Sequence, residues 1–230
     1  GKVCKTNNNY YEHAWVVNNH NTWNGCITDR GNATTPNSAN YDQKVTAPVS
    51  GTAASYYPAE QYSYCAQPMM GLSYNWTAMN SLVDAMQPDG NTNQPIGLVW
   101  AWQSLVGGGP LVMPAKDSNY TYTDVIVLMS DGLNTQDRWY TNQTSIDKRM
   151  YDSSNNGAGT CANIKAAGVT IYTVQVNTGG DPTSTIMQNC AGSPDKLNDP
   201  TKFFMVTSAN GLGSVFNQIG TNLTQLRVAK

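Results

Sequence analysis

The run Val125-Ile126-Val127-Leu128-Met129-Ser130-Asp131-Gly132 constrains this chain more than any other stretch. An unbroken apolar, β-branched run reads as a strand buried on both faces. Strands of that kind belong to parallel sheets with helices above and below. The run closes on Ser-Asp-Gly, which sets a carboxylate at the strand's C-terminal tip beside a residue that lets the backbone turn. In open α/β sheets that tip is where ligands bind.

Two further strands are predicted, at 169–176 (Val-Thr-Ile-Tyr-Thr-Val-Gln-Val) and 203–206 (Phe-Phe-Met-Val). Helical spacing fills the intervals. Trp76, Met79, Leu82, Val83 and Met86 share one side of a helix over residues 75–86, stopped by Pro88-Asp89-Gly90. A second helix spans residues 95–105 and breaks at Gly107-Gly108-Gly109-Pro110, which lacks the Lys-Ser/Thr of a phosphate-cradling loop. Residues 134–157 read as a polar loop with room for a short helical stretch. Helices are expected at 160–167 and 183–190. A last one carries the stripe Leu212, Val215, Phe216, Ile219, Leu223 and Leu226. This alternation predicts a mostly parallel sheet covered on both faces.

Residues 1–68 differ from the rest. They are rich in Asn, Thr, Tyr, Pro and Gly, and read as a loop-rich, disulfide-held insertion or extension packed on a core domain at 69–230. Trp15, Trp23 and Tyr41 are its expected anchors, and His13 to Val17 the end of a strand. The 230 residues carry a net charge of −2, and only 12% of them are charged. That is about half the usual share. No basic patch appears, which argues against nucleic acid as a partner. No run reaches the roughly 18 apolar residues that cross a bilayer.

None of the five cysteines stands in a C-x-x-C spacing. Buried free thiols and disulfides are both open readings, and the long spacings and exported-looking composition favour disulfides. Cys161 with Cys190 would join two helices flanking one strand. Cys26 with Cys65 would close the insertion, leaving Cys4 over. No nucleophile-elbow, H-E-x-x-H or Cys/His frame points to an enzyme. His13 and His20 both lie in the polar insertion.

Asn91-Thr92-Asn93 forms a polar turn ahead of the second helix. The Thr92 hydroxyl and the Asp131 carboxylate are hard oxygen donors suited to Mg²⁺, Mn²⁺ or Ca²⁺. Each has a plainer reading: Thr92 as a helix cap, Asp131 as a turn residue. Asn134 and Asp137 shape the loop beside Asp131. Of Trp100 and Trp102, one is expected in the core and one against a neighbouring loop. Asp181 is read as a helix cap.

Several stretches resemble a known family in order and spacing: Trp23-Asn24-Gly25-Cys26, Asn91-Thr92-Asn93 with Gly97 to Trp102, Val125 to Asn134, Cys161 to Val169, and Cys190-Ala191. Together they resemble the von Willebrand factor A (vWA) domain, and within it the vWA region of TadG-like proteins of the bacterial tight-adherence pilus machinery. The resemblance covers most of the chain from about Trp15 onward. It implies a Rossmann-like fold. It also implies a metal-ion-dependent adhesion site, in which Thr92 matches the family's Thr and Asp131 its separate Asp. The family's D-x-S-x-S, and the strand and helix that carry it, find no counterpart here. Residues 1–12 cannot supply them, and Asp181-Pro182-Thr183-Ser184-Thr185 imitates the motif in the wrong chain order. The implied function is a non-enzymatic adhesion or pilus and envelope-assembly module, extracellular or periplasmic. It would bind a protein partner through the metal, with a second chain as one source of the missing strand. The alternative is a structural subunit of an extracellular assembly with a non-functional metal site.

Overall fold

The computed structural model describes residues 2–6, 9–13, 19–30, 48–52, 55–61, 65–106, 113, 115–208 and 210–225. Strands β1 (Lys2–Thr6) and β2 (Asn9–His13) pair antiparallel as a hairpin separate from the main sheet. The loop-rich reading of residues 1–68 does not include this hairpin, and the strand end expected to begin at His13 is instead the end of β2. Residues 14–17 of that expectation lie outside the described residues, as do Trp15, Tyr41 and the 107–110 break.

The core is a three-stranded parallel sheet in the order β3 (Val125–Ser130), β4 (Thr170–Val176), β5 (Phe203–Val206). Its helices are α1 (Trp76–Asp84), α2 (Gln94–Val106), α3 (Gln143–Met150), α4 (Thr160–Ala166), α5 (Thr185–Cys190) and α6 (Gly211–Gln225). Period-two alternation divides the strands between two cores. Ile126, Ile171 and Phe203 face Leu98 and Trp102 of α2, Met150 of α3, Cys161 and Ile164 of α4, and Ile186 and Met187 of α5. Val125, Tyr172, Val174, Phe204 and Val206 face Leu212, Val215, Ile219 and Leu223 of α6. Both faces carry helices, as expected of a parallel sheet. Gly159, at φ +140°, lets α4 begin against the end of α3, where a Cβ would stand 2.5 Å from the Met150 carbonyl oxygen.

Two sequence expectations need amending. Asp181 does not cap α5: its backbone N–H donates to Asn177 Oδ1 (2.7 Å), and Ser184 Oγ accepts from Met187 N instead. Asn93, not Thr92, serves the start of α2, its Oδ1 accepting from Ile96 N. The apolar side of α1 is also uncovered. Trp76 is 64% and Val83 60% exposed, and the helix buries no residue.

The pairs Cys26–Cys65 and Cys161–Cys190 are both bonded. The second ties α4 to α5 across β4. Beside it lies Lys165, 1% exposed, whose Nζ donates to the carbonyls of Asn189, Cys190 and Leu197. Those carbonyls end α5 and the loop after it, where the last turn has no helical donors. Burial pushes the Lys165 ammonium down to about 8.

Lys165→Met should leave three acceptors without their donor and cost about 2–4 kcal/mol in urea unfolding at pH 7. The folded pKa lies below the unfolded value of 10.5. Between those values the unfolded chain binds the proton more tightly, so Lys165 adds stability as pH rises. The wild type should gain on Lys165→Met between pH 8 and 10, and a gap that narrows over that range would refute the assignment.

Candidate functional site

The C-terminal end of β3 meets the turn before α2. Backbone and side-chain bonds lace residues 91–94 to residues 134–136, forty or more positions apart in sequence. Thr92 N donates to Thr135 Oγ1 (2.8 Å), Thr135 N to Thr92 O (2.9 Å), Asn91 Nδ2 to Gln136 Oε1 (2.8 Å), and Gln94 N to Asn134 Oδ1 (2.8 Å). Gln94 then clasps the Ser130-Asp131-Gly132 turn itself. Its Nε2 donates to Ser130 Oγ (3.1 Å) and to Gly132 O (2.9 Å).

This lacing brings Thr92 and the Asp131-Gly132 turn to one edge of the sheet. Thr92 Oγ1 lies 4.0 Å from where a Cβ on Gly132 would stand. Asp131 is exposed and Thr92 half-buried. Among the described residues the Thr92 hydroxyl and the Asp131 carboxylate have no hydrogen-bond partner, so both oxygens remain open to a ligand. They are donors of the type a hard cation takes, but they supply only part of a coordination sphere of about six oxygens. Among the described residues no group of three or more His, Cys, Asp or Glu could hold a metal. The residues present therefore fit one part of a cation site and need further oxygens from elsewhere.

Beneath this edge sits a cluster that sequence reasoning missed. Arg149 of α3 is held between Asp29 (Nη2–Oδ1 2.7 Å) and Asp137 (Nη1–Oδ2 2.7 Å), all three essentially excluded from solvent. Asp29 Oδ2 also accepts from Asn93 Nδ2 (2.7 Å) and Arg138 N (3.2 Å). Asp137 Oδ1 accepts from Trp139 N and Tyr140 N. The cluster thus pins the segment after Cys26 to both loops of the edge. One signal was available: in a chain that is 12% charged, Asp29-Arg30 after Trp23-Asn24-Gly25-Cys26 is an uncommon placement of charge. Asn134 adds a second support, donating to Asp147 Oδ1 (2.8 Å). Burial raises the Asp147 carboxyl above its usual range, and the bonds from Asn134 and Gln143 oppose that.

The remaining candidates lie elsewhere or serve packing. Asp181 is exposed beyond β4, in the Asn177–Asp181 turn. Trp102 belongs to the core, and Trp100 packs on Tyr57 of the N-terminal region, ring centroids 4.7 Å apart. Cys4 lies in β1, and its side chain is outside what the structure describes.

No family model, no curated protein and no solved structure matches this chain. The fold itself defines a mixed α/β protein with a parallel sheet flanked by helices and a polar loop edge at the strands' C-terminal ends.

Arg149→Met should leave two buried carboxylates uncompensated and cost about 3–5 kcal/mol in chemical denaturation. It should also speed limited proteolysis of the segment around Asp29. A loss below about 1 kcal/mol would mean that the cluster does not hold the edge together.

Proposed function

We propose that this chain is a non-enzymatic vWA-type adhesion or envelope-assembly module, related to TadG-like proteins. A divalent cation, Mg²⁺, Mn²⁺ or Ca²⁺, would sit at the edge formed by Thr92 and Asp131. Its remaining coordination would come from water, from additional protein oxygens and from a carboxylate of a protein partner. The observation that carries this reading is the meeting of the Thr92 hydroxyl with the Asp131-Gly132 turn at the C-terminal end of a parallel strand. Loops at that end of such sheets are where ligands are received.

The two disulfides fit an oxidising compartment, extracellular or periplasmic. Among the described residues no helix is long and apolar enough to cross a membrane. The short donor set favours a second reading, a structural subunit whose cation site no longer works.

Calorimetric titration separates the two. Under the first reading Mg²⁺ or Mn²⁺ binds measurably, and Asp131→Asn, which removes a charge and keeps the shape, weakens binding at least about tenfold with little change in melting temperature. Thr92→Ala should affect partner capture more than metal affinity, because the carboxylate remains. Absence of heat with all three cations would leave the structural-subunit reading standing.

A further inference from the structure

Two Asp-Pro bonds occur in this chain, Asp181–Pro182 and Asp199–Pro200, and the fold treats them differently. Such a bond is open to attack by its own side chain. The Asp carboxylate is a nucleophile within reach of its own carbonyl carbon. Proline forms a tertiary amide and departs as a readily protonated secondary amine.

The connection from β4 to α5 holds the first of these bonds between two buried carboxamides. Asn177 Oδ1 accepts from Asp181 N (2.7 Å), and Asn177 Nδ2 donates to Asp181 O (2.6 Å). Gln175 Nε2 donates to Pro182 O (3.0 Å), and Gln175 Oε1 accepts from Ser184 N (2.8 Å). The peptide bond between residues 181 and 182 is therefore clamped on both sides, and its carbonyl oxygen already meets an N–H donor. A donor so placed stabilises the negative charge that develops on this oxygen when the carbon is attacked. The Asp181 side chain is exposed and has no hydrogen-bond partner among the described residues, so it is free to turn.

Asp199 supplies the contrast. Its carbonyl oxygen also accepts a bond, from Lys202 N (2.9 Å). Its carboxylate, however, is buried and engaged. Oδ1 accepts from Lys196 Nζ (3.0 Å), Thr201 N (3.1 Å) and Thr201 Oγ1 (2.8 Å), and Oδ2 accepts from Lys202 Nζ (2.7 Å). Turning this group onto its own carbonyl carbon would break these bonds.

We propose that Asp181–Pro182 is a self-cleaving bond. A carboxylate oxygen of Asp181 attacks the Asp181 carbonyl carbon, with Asn177 Nδ2 donating to the oxyanion. The carbon–nitrogen bond then breaks. Its electron pair stays on the Pro182 nitrogen, which takes a proton from the solvent. One water opens the cyclic anhydride left on Asp181 and restores two carboxyl groups. The net change is hydrolysis of one peptide bond. The cut falls between Cys161 and Cys190, so their disulfide keeps the two pieces joined. Strand β5 and helix α6 lie on the C-terminal piece, where pairing with β4 and the second core also hold them. The product is a two-chain molecule.

The test is incubation of the purified, disulfide-intact chain at the lowest pH that preserves its native near-ultraviolet circular dichroism. Intact mass and gels with and without reductant read the outcome. The expected product is heavier by one water and runs as one band without reductant and as two with it. The fragments should end at Asp181 and begin at Pro182. Cleavage there should run at least about tenfold faster than at Asp199–Pro200, and the preference should vanish in urea. Asn177→Ser should slow it at least about tenfold. Asp181→Glu, whose longer side chain must close a larger ring, should stop it over the same period. That variant keeps the fold, because the Asp181 side chain makes no bond to lose. A folded chain that stays intact, or that cuts both bonds alike, would overturn the proposal. So would cleavage at residue 181 no faster than in the urea-unfolded chain. Unchanged cutting of Asp181→Glu would identify an outside protease and overturn it as well.

Discussion

A single guanidinium joins the parts of this molecule that sequence keeps apart. Arg149 lies 120 residues from Asp29 and 12 from Asp137, and it binds both. Burying three charges is costly unless each is paired and hydrogen-bonded. Here the carboxylate oxygens that face Arg149 sit on groups that also accept from Asn93, Arg138, Trp139 and Tyr140. The arrangement works only when the segment after Cys26, the turn before α2 and the loop after β3 are all in place. It therefore fixes the geometry of the edge at which Thr92 and Asp131 meet.

The strands were the legible part of the chain. Val125 to Ser130 and Thr170 to Val176 are apolar runs with few alternatives, and they pair as parallel neighbours. The stripe from Leu212 to Leu223 packs as its spacing requires, although Phe216 is left 45% exposed. Caps were less legible, because several adjacent residues could serve. Asp181 and Ser184 both have capping side chains, and the choice fell to Ser184 because Asn177 ties up the Asp181 backbone through both of its amide atoms. The Asp29–Arg149–Asp137 cluster left only the faint signal of an Asp-Arg pair in a weakly charged chain, since no local pattern links Asp29 to a residue 120 positions away. Helix α1 shows a different limit. Its sequence has an apolar side, but periodicity cannot say whether anything covers it, and Trp76 and Val83 are exposed.

The two faces of the sheet are unequal, and that bears on function. The Ile126 face is closed by α2, α3, α4 and α5, and by a disulfide between the last two. The α6 face is closed over β4, β5 and Val125 and open over Val127 and Met129 of β3. The open side and the polar edge meet at the end of β3. A partner approaching there would reach Val127, Met129 and the Asp131 carboxylate together.

The claim that Thr92 and Asp131 form one cation-receiving edge can be tested most directly with Mn²⁺ as a paramagnetic probe in amide NMR spectra of the full chain. The account predicts line broadening centred on Thr92, Asp131 and Gly132, fading along β3 and α2, and displaced by excess Mg²⁺. Broadening centred on Asp181 or spread over the surface carboxylates, with the 92 and 131–132 signals unaffected, would contradict it.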